Sequence, residues 1–177
     1  MILANKSFSA QKVALLGLLL GMILILLVLE RMLPPLPFLP PNFKLGLSNI
    51  IVMYTIFFVG TKEAFTMVLL KGFFNLLLRG TMGAVLSLSG GFLSVLAIVL
   101  VSKVFRGKVS FLILSILGAL MHNIGQLLAA AFMLGNDLLF ISFLPIVLIA
   151  GVVLGTLTGL ASQVIVPIFN QINRQKR

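Results

Sequence analysis

Long uncharged runs separated by short polar punctuation dominate this chain. They are Val13–Leu29, Leu45–Thr61, Gly80–Ser102, Val109–Asn136 and Leu138–Asn173. A bilayer-crossing helix needs about 20 apolar residues, and about 17 at the least. The pattern predicts an all-α integral membrane protein, a six-transmembrane-helix bundle in a single domain over residues 1–177, with helices at about 10–30, 46–60, 62–79, 87–105, 110–134 and 140–169. Leu33–Pro41 (LPPLPFLPP) cannot propagate a helix, because proline lacks the amide hydrogen and restricts its predecessor. It predicts a proline-rich outer loop between helices 1 and 2. Thr61-Lys62-Glu63 makes a tight turn into the third helix. Gly80–Gly91 (GTMGAVLSLSGG) suits either an irregular, pocket-lining segment or the start of the fourth helix.

One polar interruption stands out. Ala64–Leu78 (AFTMVLLKGFFNLLL) carries Lys71 and Asn75 four residues apart, on one helix face, with Arg79 at the next turn. An ionisable group at membrane depth costs a few kcal/mol or more and usually faces a protein interior or a watery cavity. Lys71 either snorkels to a headgroup or forms the cationic wall of a pocket, and the pocket is the favoured reading. In the fifth helix His122 and Gln126 are one turn apart, with Asn123 beside them, so the polar trio can share that pocket. Phe38 and Phe43, in the outer connector, are candidates for a lid over a ligand. Glu30 and Arg31 fit an interfacial anchor pair where helix 1 meets the outer surface, and Tyr54, the one tyrosine, fits a pocket donor or packing. Ala10, Ala14, Gly17 and Gly21 give helix 1 a flat strip, open to its own neighbours or to a partner's helix.

Composition agrees with a membrane setting: 60% of the residues are hydrophobic, 9% are charged, and the mean hydropathy is +1.25. A soluble domain carries about a quarter charged residues. The net charge of +10 does not point to nucleic acid, because the basic residues cluster at span ends. With the N-terminus inside, Lys6, Lys12, Lys62, Lys103, Arg106, Lys108, Arg174, Lys176 and Arg177 fall on the cytoplasmic side, and Arg31, Lys44 and Arg79 outside. Nine against three predicts both termini in the cytoplasm of a prokaryotic plasma membrane. No cleavable signal is evident, so the first run is expected to be a retained helix.

Absences narrow the chemistry. There is no cysteine and one histidine, so no metal site or cofactor is expected. The sequence has no GxxxxGK[ST] phosphate loop and no GxSxG elbow. Glu30, Glu63 and Asp137 are the only acids and are far apart, whereas magnesium–diphosphate chemistry needs clustered carboxylates. The chain is not expected to be an enzyme.

Three segments carry a family resemblance. Ala10-xxx-Ala14 is similar to the AxxxA docking motif of the S components of energy-coupling factor (ECF) importers. Leu36–Ile50 (LPFLPPNFKLGLSNI) resembles their proline-rich first loop running into the second helix, and Val68–Leu77 (VLLKGFFNLL) is similar to a lysine-bearing third helix. Within that superfamily the chain looks most like the "Gx transporter" group, often labelled heptaprenyl diphosphate synthase component I. Asn49 stands where riboflavin-type members tend to have aspartate, and Gly72 where asparagine is common, which argues against riboflavin. The resemblance implies a ligand site on the outer half, under the first loop. It also implies a transmembrane coupling subunit and two ATPase subunits as separate partner chains, docked on Ala10, Ala14, Gly17 and Gly21.

The expected function is therefore substrate capture for an importer. Membrane lipid surrounds the chain, and a small, anionic, partly apolar molecule is gripped by Lys71, Asn75, Arg79, His122, Asn123, Gln126 and Asn49. A vitamin-like molecule and an isoprenoid precursor both fit. Two alternatives stand beside it: a non-catalytic membrane accessory of polyprenyl diphosphate or quinone biosynthesis, and a stand-alone secondary carrier. An inverted repeat would favour the carrier, and none is evident.

Overall fold

Apolar runs without water to satisfy their backbone must close hydrogen bonds internally, and here they do so as helices. The structure is a computed structural model that describes residues 10–32, 46–106 and 108–175, with Gln11 and residues 161–175 by backbone only. Five helices follow in order: α1 (Ala10–Met32), α2 (Asn49–Phe58), α3 (Thr61–Val104), α4 (Phe111–Leu134) and α5 (Asp137–Gln175). All but α2 are long and apolar enough to cross a membrane. The expected proline-rich loop, with Phe38 and Phe43, lies outside the described residues.

The expectation of six helices is corrected at Gly80. Helices three and four form one 44-residue element, helical throughout except at Gly80, whose φ of 71° and ψ of −169° break it. Gly80–Gly91 is thus not an irregular segment. A straight helix of that length would be about 66 Å long, twice the roughly 30 Å of hydrocarbon. Instead α3 doubles back: Asn75 Nδ2 donates to Ser87 Oγ at 3.1 Å, and the Phe65 and Phe92 rings lie 5.6 Å apart. Residues 12 apart on a straight helix would be separated by about 18 Å. The two arms, 61–79 and 81–104, are antiparallel and meet at a corner that only glycine enters without strain.

Packing explains the remaining arrangement. Leu19, Ile23 and Leu27 of α1 bury against Ala64, Met67 and Val68 of the first α3 arm, with Ile51 and Val52 of α2 and Val95 of the second arm. Lys12 pairs with Glu63 at one end of that contact. α4 begins on a Ser110 cap, whose Oγ accepts from Ile113 N, and ends at Gly135 in the left-handed region. It lies close along α5, where Gly151, Gly155 and Gly159 make a smooth ridge. A Cβ on Gly155 would stand 2.5 Å from Ile116 Cα and 3.0 Å from Ser115 O. Glycine is needed there for space.

Candidate functional site

A ring of buried polar groups forms where α1, α2, both arms of α3 and α4 come together. Lys71 and Asn75 occupy successive turns of the first α3 arm, only 3% and 1% exposed. Asn75 Nδ2 donates both to Lys71 O, at 3.1 Å, and to Ser87 Oγ on the returning arm. One turn beyond Ser87, Gly90 faces α4: a Cβ there would stand 2.6 Å from His122 O, 2.9 Å from His122 Nδ1 and 3.0 Å from Gln126 Cγ. His122 and Gln126 are both buried. On its other side the His122 ring approaches Gly46, just before α2. Glycines at 46 and 90 thus let the backbone close on both flanks of one imidazole. Lys71 is also within electrostatic reach of His122.

The ring closes through α1. Glu30 is buried, accepts a hydrogen bond from Leu47 N at the start of α2, and lies within electrostatic reach of both Lys71 and Arg79. The expected surface anchor pair is therefore split: Arg31 is exposed, while Glu30 turns inward. Periodicity held the clue, since Glu30 continues the buried face of Leu19, Ile23 and Leu27. Position at the end of an apolar run hid it.

Two more predicted residues have different settings. Asn49 is buried and, with Gly46, His122, Asn123 and Thr158, lines a cavity of about 10 Å³, room for about one water. Asn123 also reaches away from the ring, donating from Nδ2 to Val147 O of α5 at 3.1 Å. It is a helix-packing residue at one end and a cavity wall at the other. Tyr54 packs on Phe58, with ring centroids 4.6 Å apart.

The ring has hydrogen-bonding capacity to spare. Among the described residues Ser48 Oγ, Asn49 Oδ1 and Asn75 Oδ1 are buried and have no hydrogen-bond partner. Leaving such atoms unmatched costs about 1–3 kcal/mol each, and a polar ligand or bound water would relieve it. The described residues place no group of three or more acids or histidines where a metal could be held. A larger groove of about 530 Å³ opens on the opposite side of the Gly90–Gly125 contact. Phe65, Phe92 and Phe132 line it with aliphatic side chains, and it has none of the ring's charges.

The strip on α1 faces outward. Ala10, Ala14 and Gly17 are exposed, and a Cβ on Gly17 or Gly21 would meet nothing within 4 Å. Packing among the described residues therefore does not account for it.

A sequence-family model described as "Heptaprenyl diphosphate synthase component I" matches residues 19–165. No curated protein and no solved structure matches the chain.

Proposed function

The chain belongs to the heptaprenyl diphosphate synthase component I family, and from that premise we propose a non-catalytic membrane component that holds a small anionic molecule in the polar ring. The observation that carries this reading is the ring itself. A lysine, four amide side chains and a histidine are buried in a bundle whose described residues carry no cluster of acids. Cationic and amide donors suit a carboxylate or phosphate. Clustered carboxylates, which magnesium–diphosphate chemistry would need, are what the ring lacks. The component named by the family would then act beside a catalytic prenyl synthase supplied as another chain, presenting or retaining an isoprenoid precursor at the membrane.

The outward strip on α1 favours a second reading, substrate capture for an ECF-type importer. Small residues that no described residue packs against let a partner's helix approach closely. In that reading the partners are a coupling subunit and two ATPases, the ligand enters from outside, and both termini are cytoplasmic.

One preparation separates the two. The full chain is purified in mild detergent from its native membrane, its retained small molecules are identified by mass spectrometry, and its co-purifying proteins are sequenced. A soluble prenyl synthase with a retained isoprenoid phosphate supports the component role. A coupling subunit with ATPases supports capture for import. Retention of no small molecule by the wild-type chain would overturn both.

A further inference from the structure

One end of the bundle collects positive charge. Because α3 doubles back at Gly80, its two ends, Thr61 and Val104, reach the same side. The start of α4 joins them there. Phe111 packs on Phe57 and Phe58 at the end of α2, with ring centroids 5.0 and 6.4 Å apart. Beneath these rings Ile56, Phe57, Val101 and Val109 close over an apolar cluster built on Met53, Ile98 and Leu114. Lys62, Lys103, Arg106 and Lys108 surround this junction, and all four are exposed.

Among the described residues no carboxylate is left to answer them. Glu63, the acid at this end, is taken by Lys12. Glu30 lies eighteen residues along α1 from Lys12, and Asp137 follows the far end of α4, so both belong to the opposite side. The three cations after α3 are held close together, since Arg106 N donates to Lys103 O at 3.2 Å and Lys108 N to Phe105 O at 3.0 Å. Val104 and Phe105, 72% and 57% exposed, carry the apolar surface of the span up to the same turn. Apolar side chains at the rim with lysine and arginine just beyond match the layers of a bilayer surface, acyl chains below and phosphates above. That ordering favours lipid over an acidic protein.

We propose that Lys62, Lys103, Arg106 and Lys108 form a docking surface for the phosphates of anionic membrane lipid. Each lysine or arginine near an anionic surface strengthens attachment about fivefold. Headgroups seated there also hold the ends of α2, α3 and α4 together, where four like charges would otherwise repel. Lipid is then a clamp on this end of the bundle. The surface works independently of the polar ring.

Lipid titration tests this on the full chain in a non-ionic detergent. Phosphatidylglycerol, and separately phosphatidylcholine of the same acyl chains, is added while the melting temperature is followed. Phosphatidylglycerol should give a saturable rise of about 3–6 °C at ten times its half-saturating concentration. Phosphatidylcholine should give none. Raising the ionic strength from about 0.1 to 1 M shortens the screening length from about 10 to 3 Å and should remove most of the rise. Lys108→Gln should need about fivefold more phosphatidylglycerol for half-saturation, and Lys103→Gln, Arg106→Gln and Lys108→Gln together about a hundredfold more.

An equal rise with phosphatidylcholine, or with soluble glycerol phosphate, would overturn the lipid assignment, as would unchanged half-saturation in the triple variant. If the triple variant does not fold, a wild-type response indifferent to salt or an unchanged Lys108→Gln would sink the idea in its place. Lys71→Met should respond as the wild type does, and loss of its response would move the lipid phosphate to the polar ring. An unchanged lipid response in a triple variant that loses an acidic protein from its co-purifying set would give the surface to that protein.

Discussion

Lys71 lies one turn from Asn75 on the buried face of the first α3 arm, where insertion scales assign a lysine about 2.5–3.5 kcal/mol of cost at mid-membrane. Lys71→Met keeps most of the length and deletes the charge. The variant should melt at or above the wild-type temperature yet bind the retained ligand about ten- to a hundredfold more weakly. Calorimetry beside thermal melting checks this, and unchanged affinity with lowered stability would make Lys71 a structural residue. Gly90→Ala tests the opposite wall. Its methyl would press on His122 O, so a loss of about 1–3 kcal/mol in stability is expected together with weaker ligand retention. The burial of Lys71, Asn75, His122 and Gln126 was legible because polar residues inside an apolar run have few other places to go. Glu30 was not, since a carboxylate at the end of such a run suits water equally well. Nor was the bond from Asn123 to Val147 O, which depends on knowing that α5 lies alongside α4.

Identical local patterns serve opposite purposes in different helices. Gly17 and Gly21 on α1 and Gly151, Gly155 and Gly159 on α5 are spaced alike, and only the α1 set was singled out from sequence, as open to its own neighbours or to a partner. The structure separates them: the α5 ridge lies against the α4 backbone, and a Cβ on either of the α1 pair would meet no described residue within 4 Å. Gly155→Leu should therefore lower the melting temperature sharply through overpacking, whereas Gly17→Leu should change stability by no more than about 0.5 kcal/mol. Ala14→Trp should spare both folding and ligand binding and block assembly with any partner seated on α1, measured by pull-down and affinity on one preparation. Undiminished assembly would leave the strip to lipid. Helix positions were readable from apolar periodicity, with starts and ends shifted by a few residues. The shift was greatest at the end of α5, which runs to Gln175 rather than about 169, and for the segment after Gly80, where a run rich in glycine and serine hid a helix stabilised by packing on its own preceding arm.

Among the described residues, the buried lysine, histidine and amides gather between α1, α2, α3 and α4. If α3 doubles back within the membrane, its corner and the connector after α1 share one side, opposite both termini. Single cysteines at Asn42 and Thr81 should then react with an impermeant reagent in intact cells, and one at Asn173 only after permeabilisation. Labelling of Asn173 from outside would reverse the orientation drawn from the basic residues. The one-residue corner at Gly80 has a further consequence, for biogenesis. Two spans joined by a loop can leave the insertion machinery one after the other, but a corner of one residue provides no slack for the first arm to settle alone. The arms must partition into lipid as a pair. The returning arm then supplies Ser87 to Asn75 as both enter, so the polar face of the first arm never meets hydrocarbon unaccompanied. Lengthening the corner should be felt first as lost membrane yield.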